Sequence, residues 1–73
     1  MREFVKLFDS QDNLVATVYK KNLGNEIEFI DDKGNHYGKV TSDAELAQVF
    51  IKIAQLAKNF YGKDCFPRLG RIE

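Results

Sequence analysis

Few side chains in this sequence could do covalent chemistry. There is one histidine, His36, and one cysteine, Cys65. A nucleophilic thiol needs an orienting base, and His36 is the only imidazole on offer. His36 follows the Gly34-Asn35 turn, where a histidine is ordinarily exposed or satisfied locally rather than held as a general base. Lys63 and Arg68 flank Cys65 and would favour its thiolate, yet charge alone does not make a catalytic thiol. The carboxylate pairs Asp31-Asp32 and Glu26/Glu28 fall in a turn and at alternate strand positions. Paired carboxylates do acid–base work inside a cleft, and a domain this small has little cleft to give. Asp31-Asp32-Lys33-Gly34-Asn35 begins like a calcium loop. Lys33 stands where a ligand belongs, and no bidentate glutamate follows at the required spacing. The glycines at 24, 34, 38, 62 and 70 are scattered, so no phosphate loop exists. The expectation is a protein that is not an enzyme, with no metal site and no cofactor.

Charge narrows the choice further. Eleven basic and eleven acidic residues cancel, and they do so evenly along the chain. A strong sequence-independent grip on duplex nucleic acid is not expected, nor is a DNA-mimicking carpet of carboxylates. A lone cysteine excludes an intramolecular disulfide, and Cys65 with His36 is too few ligands for structural zinc. Small secreted domains usually carry disulfides, so a cytoplasmic location is favoured. Met1 to Lys6 lacks a signal-peptide core, and no stretch approaches the ~20 apolar residues of a membrane span. The chain reads as complete and untargeted.

Its 73 residues, 44% hydrophobic and with nine aromatics (six Phe, three Tyr), suffice for one domain and not for two. Phe4 to Phe8 is a short β-rich run closed by the turn formers Asp9 to Asn13. Leu14 to Lys21 is rich in β-branched residues, and Glu26 to Ile30 alternates polar and apolar. Asp31 to Asn35 is a hairpin signal, and His36 to Val40 completes a fourth strand. The connections are too short for crossovers, so the strands should pair as an antiparallel meander. The period then changes. Ser42-Asp43-Ala44-Glu45 fits a capping box, no Gly or Pro intervenes before Tyr61, and Gly62 suits a left-handed C-terminal cap. The expected fold is α+β: strands near 3–8, 14–21, 26–30 and 36–40, then one helix near 43–61 packed on one sheet face, then an irregular tail over 62–73.

On a helical wheel Leu46, Val49, Phe50, Ile53, Leu56, Ala57 and Phe60 form the stripe that must cover the sheet. Ala44, Ala47, Ile51, Ala54 and Tyr61 widen it beyond the roughly 100° that a single contact needs. Ile51 therefore lies either beneath the tail at Phe66 or Leu69, or against a second copy or another partner. Strand alternation assigns Val5, Leu7, Leu14, Ala16, Val18, Ile27, Phe29 and Val40 to the helix-facing side. It leaves Phe4, Lys6, Phe8, Val15, Thr17, Tyr19, Glu26, Glu28, Ile30, Tyr37 and Lys39 on the other side, which is more apolar than a solvent face needs to be.

Two functions follow as expectations. The first is a small non-enzymatic protein-interaction module, an inhibitor or regulator of a larger complex. Its contacts would be Ile51, Ala47, Ala54 and Tyr61 on the helix side, or Phe8, Tyr19, Tyr37, Lys6 and Lys39 on the sheet. Its partner would be another protein, with a homodimer as one form of that contact. In element order, four short strands and a helix, the chain resembles very small phage-encoded inhibitors of host defence complexes. The second is a single-stranded nucleic-acid binder. Coactivator-type single-strand-binding modules that dimerise through a helix are similar in the same element order. Tyr19 and Tyr37 with Lys6, Lys39, Lys20 and Lys21 would supply the stacking platform, against a neutral net charge and Glu26 and Glu28 on the same face.

Overall fold

The computed structural model describes residues 1–69. The strands are β1 (Arg2–Phe8), β2 (Leu14–Asn22), β3 (Glu26–Asp31) and β4 (His36–Thr41), followed by α1 (Leu46–Tyr61) and β5 (Phe66–Leu69). The first four form the expected antiparallel meander. The fifth strand is a correction to the tail: β5 pairs antiparallel with β1, giving the order β4-β3-β2-β1-β5. The helix thus carries the chain from one sheet edge to the other. Pro67 is compatible with β5 because an edge strand has a side where no N–H is needed. Three side-chain contacts hold this short strand down. Arg68 pairs with Asp12 at 2.6 Å, its guanidinium lies 4.6 Å from the Phe8 ring centre, and Lys63 reaches Asp9 at 3.3 Å. The part of the tail beyond Leu69 lies outside the described residues.

Simple alternation fails at three places, and a bulge accounts for each. Glu3 faces Tyr19 while Val5 faces Val18, so Phe4 is an extra residue in β1. Leu7 faces Ala16 while Phe8 faces Leu14, so Val15 is extra in β2. Phe29 faces Gly38 while Ile30 faces His36, so Tyr37 is extra in β4. A bulge sets two residues against one and re-aims the side chains beside it. Phe4 accordingly joins the helix-facing side, its ring 5.0 Å from Phe29 and 5.9 Å from Phe50. Tyr37 turns inward and is fully buried, edge-on to Phe60 at 5.2 Å. Leu14 is put out of the core and left 56% exposed. These three correct the face assignment. Val5, Leu7, Ala16, Val18 and Phe29 are core as expected, with Ile27 and Val40 packed against them.

The helix begins at Leu46 rather than near 43. Glu45 occupies the cap position without a side-chain cap hydrogen bond, so the Ser42–Glu45 box does not form. The reason lies upstream. The Ser42 N–H donates to Asn25 O, continuing the β3–β4 pairing, and the Ala44 N–H closes a turn onto Thr41 O. Residues still held by the sheet cannot start a helical turn. At the other end Gly62 takes the expected left-handed conformation, φ 70°, and its N–H donates to Lys58 O. Val49, Ile53 and Ala57 are the buried line of the helix, and Phe50 and Leu56 pack at its margins.

Candidate functional site

Two of the predicted contact residues are used inside the fold. Asp31 ends β3 and is buried. Its Oδ1 accepts the backbone N–H groups of Lys33 and Asn35, each at 2.9 Å, which shapes the hairpin turn. Its Oδ2 accepts the Tyr37 hydroxyl at 2.8 Å, the Asn35 side-chain amide at 3.2 Å and the Tyr61 hydroxyl. The Asn35 amide also donates to the Tyr61 oxygen at 2.9 Å. Burial pushes the Asp31 carboxyl up, and the hydrogen bonds from Tyr61, Asn35 and Tyr37 outweigh it, so the group titrates below the usual range. Burial, then the neighbouring carboxylate, pushes both phenols up, Tyr61 to about 12 and Tyr37 further. The network joins turn, sheet and helix end, and it has no unsatisfied member. Tyr37 and Tyr61 are therefore structural, whereas the expectation placed both on contact surfaces. Sequence alternation missed this because the Tyr37 bulge turns that side chain inward.

The residues with chemical potential are not brought together. His36 is exposed, with Nδ1 3.4 Å from a Glu28 carboxylate oxygen. Cys65 is buried, its thiol directed at Lys63 O at 3.5 Å, and burial pushes its pKa up. A protonated, enclosed thiol is a poor nucleophile. No group of three or more His, Cys, Asp or Glu among the described residues is placed to hold a metal ion. No helix among them is long and apolar enough to cross a membrane.

The helix flank is different. Ala47 is exposed, Ala54 half-buried, and Ile51 is 51% exposed. Beside them the helix and β5 enclose an open groove of ≈ 430 Å³ lined by Ala54, Gln55, Lys58, Asp64, Cys65, Phe66 and Pro67. Pro67 and Leu69 pair with Leu7 and Val5, which are core residues, so both sit on the helix side of the sheet. The helix does not reach far enough sideways to cover them, and Leu69 remains half-exposed. Forming β5 covers the β1 edge and leaves Ile51 half-exposed, so among the described residues the tail does not cover it.

The outer sheet face is less continuous. Phe8 is half-buried under Arg68, and Tyr19 is half-buried across from Ile30. Lys6 pairs with Glu3 at 3.0 Å, and Lys39 faces Glu28 across the strands. The stacking platform is divided between faces. Lys20 lies on the helix side, 5.9 Å from the Phe4 ring centre, and Tyr37 is inside the core. No family model matches this chain, and no curated protein or solved structure matches it.

Proposed function

We propose that this chain is a protein-interaction module whose contact surface is the groove between α1 and β5. The observation that carries the reading is the helix flank: Ile51 is half-exposed on α1, and three residues further on Ala54 lines the groove together with half-exposed Phe66. Neighbouring exposed apolar groups of this kind mark contact surfaces more often than scattered ones do. Lys58 and Gln55 rim the groove and give it the polar border usual for interfaces.

The partner meets side chains rather than a free strand edge. Pro67 interrupts the donors of β5, which has only four residues. The opposite edge, β4, carries the Tyr37 bulge and exposed Lys39. Both devices discourage strand addition. A regulator or inhibitor of a larger assembly works in this way, by covering a surface without chemistry of its own.

The test is capture of binding proteins by the immobilised chain, wild type against Ile51→Glu and Phe8→Glu. The reading expects one or more proteins held by the wild type and by Phe8→Glu, and lost with Ile51→Glu. Equal capture by all three would place the contact elsewhere. Tight, steeply salt-dependent retention of a single-stranded oligonucleotide would favour the nucleic-acid reading instead.

A further inference from the structure

A separate cavity lies at the start of α1 and shares no lining residue with the groove. It is an opening of ≈ 170 Å³ between the first turn of the helix, the connector before it and the sheet. Phe4, Phe29, Ile27, Val40, Leu46 and Val49 give it apolar walls, and Lys20, Thr41 and Ser42 are its polar members. The β1 bulge turns the Phe4 ring inward, where Phe29 at 5.0 Å and Phe50 at 5.9 Å hold it. Charge at the rim says what the cavity would take. Lys20 is half-buried, with Nζ 5.9 Å from the Phe4 ring centre. Arg2 stands directly opposite Lys20 in the β1–β2 register, so both side chains leave the sheet on the helix side. Like charges set opposite each other weaken a strand pair unless an anion lies between them. The ion pairs among the described residues use other cations, and no carboxylate among those residues lines the cavity. Size narrows the choice. Drug-sized ligands occupy about 300–1,000 Å³, so a nucleotide is too large. An apolar cavity of about 150 Å³ takes up benzene, so a single ring fits.

We propose that this cavity binds a small aromatic carboxylate, its one ring among Phe4, Phe29 and Val49 and its carboxylate on Lys20 and Arg2. Aromatic walls favour an aromatic guest, because rings meet well edge-on or offset. A planar carboxylate matches the Arg2 fork with two parallel hydrogen bonds and leaves a lone pair for Lys20. A few polar groups converging on a mostly apolar pocket is the usual build of a small-molecule site. A ligand with so few atoms binds weakly, and phenylacetate should show a Kd of about 0.1–1 mM. The proposal goes beyond the protein-interaction reading and does not depend on it.

Backbone amide shifts, followed by NMR at constant pH and ionic strength, test this. Phenylacetate should move the amides of Lys20, Phe29 and Leu46 in the wild type, and the movement should saturate. The uncharged 2-phenylethanol keeps the ring and should bind about tenfold more weakly. Hexanoate keeps the charge without the ring and should bind at least about threefold more weakly. Lys20→Gln and Arg2→Gln should each weaken phenylacetate about threefold to tenfold, with 2-phenylethanol unaffected and circular dichroism unchanged. Ile51→Glu, in the other surface, should bind phenylacetate as the wild type does. No saturable shift at those amides by about 10 mM, well above the expected Kd, overturns the proposal. So does 2-phenylethanol or hexanoate binding as tightly as phenylacetate, or undiminished binding by both glutamine variants. Loss of phenylacetate with Ile51→Glu would put the ligand in the groove and overturn it too. Each of these failures leaves the capture experiment, and the interaction reading it tests, untouched.

Discussion

The Tyr61 hydroxyl, in the last turn of α1, donates a hydrogen bond to Asp31 Oδ2, where β3 ends. Thirty residues of sequence separate the two, and this contact ties the helix end to the hairpin turn. Tyr61→Phe removes the donor but leaves Asp31 its bonds from Tyr37 and Asn35. The expected cost is about 1.5–3 kcal/mol in urea unfolding, the range for a hydrogen bond to a charged group. Asp31→Ala orphans several donors at once and should cost more, about 3 kcal/mol or beyond.

The same network sets the pH dependence. Asp31 titrates lower in the folded chain than its unfolded value of about 3.9. Its contribution is present above that value and is lost as pH falls through the folded pKa. At the alkaline end the sign reverses. Tyr61 is raised to about 12, so its contribution is whole below the unfolded value near 10 and is lost as pH rises toward 12. Melting temperature against pH should fall at both ends, and Asp31→Asn should flatten the acid limb.

Gly38 sits at the β4 bulge with φ +85°. A Cβ there would come within 3.1 Å of Lys52 Nζ, the tip of a flexible side chain that can move away. The backbone strain remains. Gly38→Ala should therefore destabilise by about 1–2 kcal/mol, and removing Lys52 should not rescue it.

Two aliphatic residues separate core from surface. Leu7 is fully buried, and Leu7→Ala should cost about 2–5 kcal/mol, enough to threaten folding in a domain of this size. Ile51→Ala should change monomer stability by no more than about 0.5 kcal/mol. Thermal or urea unfolding in dilute solution reads both.

Cys65 should be inert. Its thiol is enclosed, and its pKa is raised by burial. A thiol-reactive dye near neutral pH should label the native chain slowly and the urea-unfolded chain at once.

Much of this fold is written locally. The turn formers at Asp9–Asn13 and Asp31–Asn35, the β-branched run of β2 and Gly62 each act within a few residues, so the meander and the helix end were legible. The three bulges were not, because a bulge is a compromise between neighbouring strands and leaves no fixed signature in either. They moved Phe4, Leu14 and Tyr37 to the opposite faces, and with Tyr37 went the Asp31 network. β5 was hidden by Pro67, which reads as a breaker until the strand is known to lie at an edge. The helix start was hidden by competition, since Ser42 has capping chemistry but its N–H is engaged by Asn25. Ile51 was legible as surplus, because the helical period alone shows where a single contact ends.

The most direct measurement is the accessibility of the Ile51 methyl groups to a soluble paramagnetic agent, followed by NMR from the lowest protein concentration that gives a spectrum. The account predicts relaxation as strong as that of the comparably exposed Leu14. An Ile51 already shielded at the lowest concentration would mean that the chain covers it by itself, and the contact surface argued here would not exist.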